Sequence, residues 1–330
     1  MPPDSSTFRP AAVANNDRKS LLLRLAAGWV ALFVLTAREW GEMAHQWWNS
    51  DTYAHILLIP PILVWLIWLR RTELSRSSLS AFVPGLGLLC GSLLIWLCGR
   101  AAGINLVAQF GAVAAMSATV MTICGMRVML LSAFPVAYSL FLVPFGDEII
   151  APLQQLTARI AVALTHASGV PAISNGLFID TPAGRFVVAE ECSGVKFLIA
   201  MVALATLVAW TSFTSWKRRV IFVLAAACVS VVANGVRAWA TIFVAQYIGA
   251  ERAGGFDHIV YGWVFFALVI ALVLGVGWRF IDRDPANAGL SATEADAIAQ
   301  RFPAGVIAPD LAVVLVCVIA AAFAVLVRLI

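Results

Sequence analysis

Nine apolar runs, most of them near the length of a membrane-crossing helix, dominate this chain of 330 residues. They lie at residues 20–37, 55–69, 82–99, 104–123, 128–145, 194–213, 219–246, 259–279 and 311–328. A helix needs about 20 apolar residues to cross the hydrocarbon core of a bilayer. With 62% hydrophobic and 12% charged residues, the chain has more apolar surface than a soluble fold of this length could bury. The sequence therefore predicts an all-α polytopic membrane protein with about nine transmembrane helices in the lipid bilayer.

One further segment, residues 149–168, has a mixed pattern. Polar side chains, among them Gln154, Arg159 and His166, interrupt an otherwise apolar helix. Alternating polar and apolar faces are typical of a helix that lies at an interface. We therefore expect an amphipathic or re-entrant element here and not a tenth span.

The basic residues predict the orientation of the chain, because cytoplasmic loops carry an excess of lysine and arginine. If the N-terminal tail is inside and there are nine spans, every basic loop falls on the cytoplasmic side. A tenth crossing at 149–168 would move the later basic loops outside. The loop with Arg70 and Arg71 precedes this segment and would stay inside, whereas the later loops contain Lys217 to Arg219, and Arg279 and Arg283.

The same count predicts the organisation of the chain. Residues 1–19 are polar and form a cytoplasmic tail, and residues 20–283 form the main transmembrane domain. An Ala-rich stretch at 284–310 is expected to be a cytoplasmic linker before a C-terminal transmembrane helix at 311–330. The stretch 146–193 would lie outside. Within it, two β-prone runs flank the loop 180–184, which contains Pro182 and Gly184, so a small external β-hairpin is expected.

Cys192 differs from the other five cysteines in its surroundings. It stands in Ala-Glu-Glu-Cys-Ser-Gly-Val-Lys at 189–196, where a polar loop leads into an apolar run. A thiol in apolar sequence behaves as a small hydrophobic side chain. Cys192 is thus the candidate thiolate, at the start of a helix on the outer face. The cysteines in or beside apolar sequence are Cys90, Cys98, Cys124, Cys228 and Cys317.

Two other reactive side chains are expected at the same face. Arg237 lies within an apolar run, where a cation is costly, and its helix runs outward. His258 follows Asp257, a suitable N-cap, at the outer start of the next helix. Each also has an ordinary explanation: Arg237 could snorkel or neutralise a buried carboxylate, and His258 could be an interfacial histidine.

Together these three residues match the needs of acyl transfer. A thiolate nucleophile needs a base, and the intermediate needs a donor for its oxyanion. Cys192, His258 and Arg237 fit these roles in that order. The helix that begins after Cys192, and Lys196 one turn on, would favour a thiolate, whereas Glu190 and Glu191 oppose it. Lys196 could equally snorkel, and His55 could contribute to the site or anchor an aromatic belt.

Composition argues against several other functions. The net charge of +4 is modest and forms no basic stripe, so nucleic-acid binding has little support. No CxxC motif and no Cys/His cluster occurs, so no metal site and no cofactor are predicted. Two alternatives stay open. One is a transporter of an anion or a lipid-linked substrate, with Arg237 and Lys196 as the anion site, and the other is an acyl or glycosyl transferase of the cell envelope.

Three ordered segments resemble the signature motifs of the exosortase/archaeosortase family. They are Glu-Cys-Ser-Gly-Val-Lys-Phe-Leu at 191–198, Ala-Asn-Gly-Val-Arg-Ala at 233–238 and Asp-His-Ile-Val-Tyr-Gly-Trp-Val-Phe-Phe at 257–266. Residues 53–60, Tyr-Ala-His-Ile-Leu-Leu-Ile-Pro, look like an early motif of the family. The resemblance covers roughly residues 40–285.

The resemblance implies a membrane-embedded cysteine protease or transpeptidase of the bacterial plasma (inner) membrane, with its site on the extracytoplasmic side. Its protein substrates would carry a C-terminal sorting tail, often Pro-Glu-Pro, then a membrane helix and a basic cluster. Cys192 would be the nucleophile, and Arg237 and His258 the other catalytic members. Glu191, Lys196, Asn234, Tyr261 and His55 would support the site or the substrate. The acceptor would be water or a saccharide of an exopolysaccharide pathway.

Overall fold

A computed structural model gives the structure and describes residues 15–77, 81–253, 257–302 and 306–329. The α-helices of these residues are α1 (Asn15–Leu35), α2 (Ala37–Asn49), α3 (Ile59–Leu69), α4 (Arg71–Ser75), α5 (Pro84–Ala102), α6 (Asn105–Cys124), α7 (Met126–Leu131), α8 (Ala133–Tyr138), α9 (Ile150–Ala167), α10 (Val195–Ser212), α11 (Trp216–Ile248), α12 (Ala250–Ala253), α13 (Asp257–Trp278), α14 (Ala292–Gln300) and α15 (Pro309–Val327). The strands are β1 (Ala81–Phe82), β2 (Ile173–Asn175), β3 (Phe178–Thr181), β4 (Gly184–Val187) and β5 (Val306–Ile307). Short 3₁₀ turns occur at Ala54–Leu58, Ser139–Leu142, Asp147–Ile149, Glu190–Cys192 and Pro285–Asn287.

When helices are counted by length and apolar composition, the described residues contain fewer membrane spans than the sequence predicts. Within the described residues, five segments are long and apolar enough to cross a bilayer, namely α5, α6, Glu190–Ser212, α11 and α15. Two bent helix pairs, Lys19–Leu35 with Ala37–Asn49 and Ala133–Leu142 with Asp147–Ala167, raise the number to seven if each is one span. The chain is therefore an α-helical, multi-pass membrane protein, but the predicted nine spans are not confirmed.

The difference has a physical origin in one short helix and in the bends. The apolar helix at Ala54–Leu69 lies where a span is predicted, but it is shorter than a full crossing. Helix α13 has 22 residues, the length of a crossing, and its described apolar part is Gly262–Trp278. The mixed segment 149–168 forms α9, which belongs to the second bent pair. A bent pair is either a broken span or a re-entrant loop, so the expectation of a re-entrant element agrees with one of its two forms.

The chain divides into two compact units. The first contains Met1–His45, Leu58–Val143 and Gly289–Ile330. Its core is formed where α1, α5, α6 and α15 meet, with Leu32, Trp96, Ala112 and Val316 all buried. Tight contact between these apolar faces removes their side chains from lipid and favours dense packing.

The described residues 289–302 and 306–307 are packed against the rest of the first unit. Strand β5 pairs antiparallel with β1, with Ala81 opposite Ile307. Arg127 and Asp296 form an ion pair at 2.5 Å, and Arg70 donates to the carbonyl oxygen of Leu290. The segment expected to be a linker thus contains helix α14, which is capped by Ser291, strand β5 and specific polar contacts.

The second unit contains Gln46–Leu57 and Pro144–Ala288. Its centre is the helical hairpin of α10 and α11, with α9 packed along α11. Core side chains of α10, α11 and α13 meet at Met201, Ala226 and Val269. At one end of the hairpin, Asp282 accepts hydrogen bonds from the Thr214 backbone N–H at 2.8 Å and from Arg218 at 2.8 Å. The bond from Thr214 holds the pKa of Asp282 below its usual value.

The predicted hairpin is present and belongs to a three-stranded sheet with the order β2-β3-β4. Strands β3 and β4 pair antiparallel with Thr181 opposite Gly184, so the turn consists of Pro182 and Ala183. The third strand, β2, was not predicted. Ile179 is buried, together with Val188, against small side chains of α9 and Ile242 of α11. The sheet is thereby fixed to the two helices that carry the candidate site.

Candidate active site

Cys192 lies at the end of a short connection between the sheet and α10. Strand β4 ends at Val187, the turn Glu190–Cys192 follows, and α10 begins at Val195. The side chain of Cys192 is half-buried and packs beside the buried cluster of the sheet and α9. The thiol is therefore held at the N-terminal end of a helix, where the helix dipole favours a negative charge.

A buried amide fixes the backbone of this connection. The side-chain nitrogen of Asn234 donates to the carbonyl oxygen of Cys192 at 2.9 Å and to the hydroxyl of Thr157 at 3.0 Å. Thr157 in turn donates to the carbonyl oxygen of Ser193 at 3.3 Å. Thr157 and Asn234 are 1% and 5% exposed, so these bonds form where a lost partner would leave a buried polar group unsatisfied.

Gly194 allows the connection to approach Asn234. Its φ of +83° lies in the left-handed region, which side chains with a β-carbon rarely adopt. A β-carbon at position 194 would also lie 2.5 Å from Cγ of Asn234. The glycine of the Cys-Ser-Gly sequence is thus required by both the backbone conformation and the close packing of Asn234.

Helix α11 reaches this position through a second close approach. A β-carbon at Gly235 would lie 2.4 Å from the side chain of Ile160 on α9. Because this neighbour is the Ile160 side chain, Gly235 allows α11 to pack against α9 and brings Asn234 within reach of Thr157.

Arg237 lies one turn beyond Asn234 on α11 and is enclosed from two sides. Its guanidinium carbon is 5.4 Å from the ring centre of Phe197, a distance at which a cation is attracted to an aromatic face. On the other side, a β-carbon at Gly262 of α13 would lie 3.4 Å from the same atom. The half-buried guanidinium is therefore held between α10 and α13.

Cys192 and Arg237 line one cavity. The cavity has a volume of about 70 Å³, comparable to a small side chain. Apolar side chains form most of its wall, so a charge inside it would be poorly screened. Its lining residues are Ile179, Phe186, Val187, Val188, Cys192, Asn234, Arg237, Ala238, Thr241 and Ile242.

His258 and Tyr261 lie in helix α13, and their side chains are outside the described residues. The backbone gives one useful relation. Position 258 is one helical turn before Gly262, and residues four apart share a helix face. Since a β-carbon at Gly262 would lie 3.4 Å from the Arg237 guanidinium, backbone position 258 is on the α13 face that is directed towards Arg237.

Three other predicted site residues are not among the lining residues of the cavity. Lys196 is half-buried, with its amine 5.4 Å from the ring centre of Phe197. Glu191 is exposed. His55 is half-buried and lies 3.0 Å from the carbonyl oxygen of Thr52 through Nδ1. Within the described part of the chain, no three histidine, cysteine, aspartate or glutamate side chains are grouped as a metal site requires.

Comparison with known families gives one match. A family model described as transmembrane exosortase matches residues 47–275, more than half of the chain. The chain belongs to the transmembrane exosortase family. Searches of curated proteins and of solved structures find no match. Membership in the exosortase family confirms the resemblance of the sequence motifs and assigns the chain to the membrane enzymes known as cysteine-type transpeptidases, which act on proteins that carry sorting signals.

The exosortase match includes all three motif segments, and the structure adds residues that the motifs do not reveal. Thr157 supports both Asn234 and Ser193, and Phe197 and Gly262 enclose Arg237. Phe197 and Gly262 stand inside motif segments, so a contact with the site could have been suspected from the sequence. Thr157 gives only a weak signal, as a polar residue on a helix whose amphipathic character was noted.

Proposed function

We propose that this exosortase cleaves proteins with C-terminal sorting tails through a thioacyl intermediate on Cys192. The observation that carries the proposal is the cavity shared by Cys192 and Arg237, beside a connection whose backbone is fixed by Asn234. A nucleophile and an oxyanion donor must be held in one geometry for acyl transfer to proceed. This arrangement provides both within one cavity.

The reaction begins when the thiolate of Cys192 attacks the carbonyl carbon of the scissile amide and forms a C–S bond. Arg237 stabilises the oxyanion that develops, or orients a carboxylate of the sorting motif. The C–N bond then breaks, and His258 supplies a proton to the leaving amine of the tail. A thioester between Cys192 and the new C-terminus of the protein results.

The thioester is resolved when a second nucleophile attacks its carbonyl carbon and the C–S bond breaks, which regenerates the thiol. Water gives hydrolysis, and an amine or hydroxyl acceptor gives transpeptidation or transfer. A saccharide of an exopolysaccharide pathway is the acceptor class that we propose. Lys196, Glu191, Tyr261 and His55 have supporting roles in the proposal, in contact with the substrate or with the three catalytic residues.

The site is proposed to face the extracytoplasmic side of the bacterial plasma (inner) membrane. Cys192 lies at the N-terminal end of α10, and the basic loop with Lys217, Arg218 and Arg219 follows the C-terminal end of the same helix. Basic loops are retained in the cytoplasm. The segment Glu190–Ser212 is long and apolar enough to cross a membrane, which supports an outer position for its opposite end, where Cys192 lies.

A processing assay tests this function. A reporter protein that ends in Pro-Glu-Pro, a membrane helix and a basic cluster is produced together with the enzyme, and tail removal is followed by size. Cys192→Ala is expected to abolish processing at equal enzyme abundance. Cys228→Ala, which changes an exposed thiol on α11, is the matched control and should process normally. Normal processing by Cys192→Ala would end the nucleophile assignment.

The role of Arg237 is tested by a charge-conserving change. Arg237→Lys keeps a cation beside Phe197 but removes the planar fork that can donate two parallel hydrogen bonds. We expect a large loss of processing. Arg219→Lys provides the control, because Arg219 is on the same helix and also stacks on an aromatic ring, Trp210, at 4.4 Å. Full activity of Arg237→Lys would exclude a bidentate role.

A further inference from the structure

Strand β4 has one open edge in the described sheet. The sheet order is β2-β3-β4, so β4 has β3 on one side and, among the described residues, no strand on the other. Among the described residues, helix α12 lies against the start of β4, where a β-carbon at Gly184 would lie 3.7 Å from Ala250. Within the same residues, the part of the edge left for an incoming chain is Arg185 to Val187. An unpaired edge of this kind is a template for another strand.

The backbone groups that face this edge follow from the pairing with β3. The N–H of Val188 donates to the carbonyl oxygen of Leu177 at 3.0 Å. In an antiparallel pair, successive residues alternate between bonding to the partner and pointing away from it. Phe186, two residues before Val188, therefore bonds to its partner Ile179 in β3. The N–H and C=O groups of Arg185 and Val187 point to the open side.

The open edge is directly connected to the nucleophile. Val187 and Phe186 line the same cavity of about 70 Å³ as Cys192 and Arg237. The connection between them is short and fixed, because Gln154 donates to the carbonyl oxygen of Val188 at 2.9 Å and the Cys192 N–H donates to that of Ala189 at 3.0 Å. A chain bound along the edge would therefore arrive at the thiol in a defined register.

We propose that the edge of β4 binds the extended segment of the substrate next to the scissile bond by strand addition. This inference rests on the proposed function and adds how the substrate is held. Strand addition uses main-chain hydrogen bonds for affinity and pockets for alternate side chains for selectivity. One substrate side chain would enter the cavity beside Cys192.

The cavity defines the chemistry of that side chain. Its lining includes four apolar side chains, Ile179, Phe186, Ala238 and Ile242. The volume suits a small or medium apolar side chain, and a charged side chain that does not pair with Arg237 would be desolvated there at high cost. The substrate class is thus an extended peptide in which every second residue, the one that faces the α11 side of the sheet, is apolar.

Disulfide cross-linking in membranes tests the strand addition. Val187→Cys is introduced into the full-length Cys192→Ser enzyme, and the tailed reporter carries one cysteine at each successive position before the cleavage site. Paired strands bring α-carbons within the distance that a disulfide can bridge. Cross-links should occur at alternate reporter positions. Enzyme without the Val187→Cys change gives the background.

The opposite edge of the sheet supplies the matched control. Ile173→Cys places a thiol on the outer face of β2, the same face as Val187, and Ile173 is 72% exposed. It should give only background cross-linking. Arg185→Cys, at the other open position of β4, should shift the cross-linked reporter positions by two residues. It also replaces Val187→Cys if that variant is not stably produced.

Three results would overturn the strand addition: background cross-linking at every reporter position, a repeat of three or four residues, or cross-links to a second enzyme copy only. The proposed function is judged separately by Cys192→Ala. If processing needs Cys192 but the alternate pattern is missing, strand addition alone is wrong. If Cys192→Ala processes the reporter normally, the proposed function is wrong whatever the cross-links show.

Discussion

The side-chain amide of Asn234 donates a hydrogen bond to the backbone carbonyl oxygen of Cys192 at 2.9 Å. This bond links the middle of α11 to the turn that carries the thiol. The same nitrogen contacts Thr157 of α9, so three segments of the second unit are tied together at one atom. The position of Cys192 therefore depends on a residue 42 positions away in the chain, and Asn234 is a positioning residue for the nucleophile.

Removing this amide should lower both stability and activity. Asn234→Ala leaves the Cys192 carbonyl without this donor, which costs about 1–3 kcal/mol of unfolding free energy. A displaced nucleophile reduces rates on the order of 100-fold. Thermal unfolding and reporter processing measure the two effects. Thr157→Ser, which keeps the hydroxyl, should be nearly normal, whereas Thr157→Val should resemble Asn234→Ala. Wild-type processing by Asn234→Ala would contradict the positioning role.

A side chain at Gly194 should disrupt the same turn. Gly194→Ala places a β-carbon 2.5 Å from Asn234 and forces a non-glycine residue into the left-handed region. Gly176→Ala is a matched control, because Gly176 has φ of +64° and no atom within 4 Å of a β-carbon. The backbone strain, about 1–2 kcal/mol, is shared by both variants. We expect loss of processing in Gly194→Ala only, and equal behaviour of the two variants would exclude the contact with Asn234.

The hydrogen bond between Tyr53 and Asp147 offers a pH test of the second unit. The Tyr53 hydroxyl donates to Asp147 at 2.6 Å, and burial raises the pKa of Tyr53 above its usual value, with the bond to Asp147 adding to the shift. The folded state then holds this proton more tightly than the unfolded state. Its contribution to stability is therefore complete below about pH 10 and is lost as the pH rises further.

The measurement is the melting temperature of detergent-solubilised enzyme across this pH range. The wild type should lose stability more steeply above about pH 10 than Tyr53→Phe, which cannot ionise at this position. Below that pH, Tyr53→Phe should be less stable by about 1 kcal/mol, the usual value of one hydrogen bond. Parallel pH curves for the two proteins would show that Tyr53 ionises equally well in the folded state.

Orientation in the membrane is tested with two exposed positions on a Cys192→Ala background. Ser174→Cys lies on β2, and Ala297→Cys lies on α14. A membrane-impermeant maleimide added to intact spheroplasts should label the first, and it should label the second only after the membrane is broken. The reverse pattern would place the sheet and the Cys192 connection in the cytoplasm.

The sequence was sufficient to predict the class of fold and two candidate residues, Cys192 and Arg237, that line one cavity. Apolar runs predict membrane helices because bilayer thickness sets their length, and the hairpin before Cys192 follows from β-prone runs around Pro182 and Gly184. The count of spans was not predictable in the same way. Hydropathy does not reveal where a helix bends, as at Thr36 between α1 and α2, where the direction changes by 83°.

The supporting contacts could not be predicted because they are long-range. Thr157, Phe197 and Gly262 stand on three different helices, and the packing of those helices alone brings them to Asn234 and Arg237. Glu191 and Lys196 illustrate the opposite case. Both are close to Cys192 in sequence, yet neither lines the cavity that Cys192 shares with Arg237. Proximity in sequence was a weaker guide than position on a helix face.

Detection of the acyl-enzyme tests the central claim most directly. Membranes that contain the enzyme and the tailed reporter are denatured under acid conditions, and the reporter fragment attached to the enzyme is mapped by mass spectrometry. We predict a hydroxylamine-labile thioester on Cys192 that is missing in Cys192→Ala, together with the loss of processing. A reporter that is processed at the wild-type rate by Cys192→Ala, with no adduct dependent on Cys192, would contradict the account.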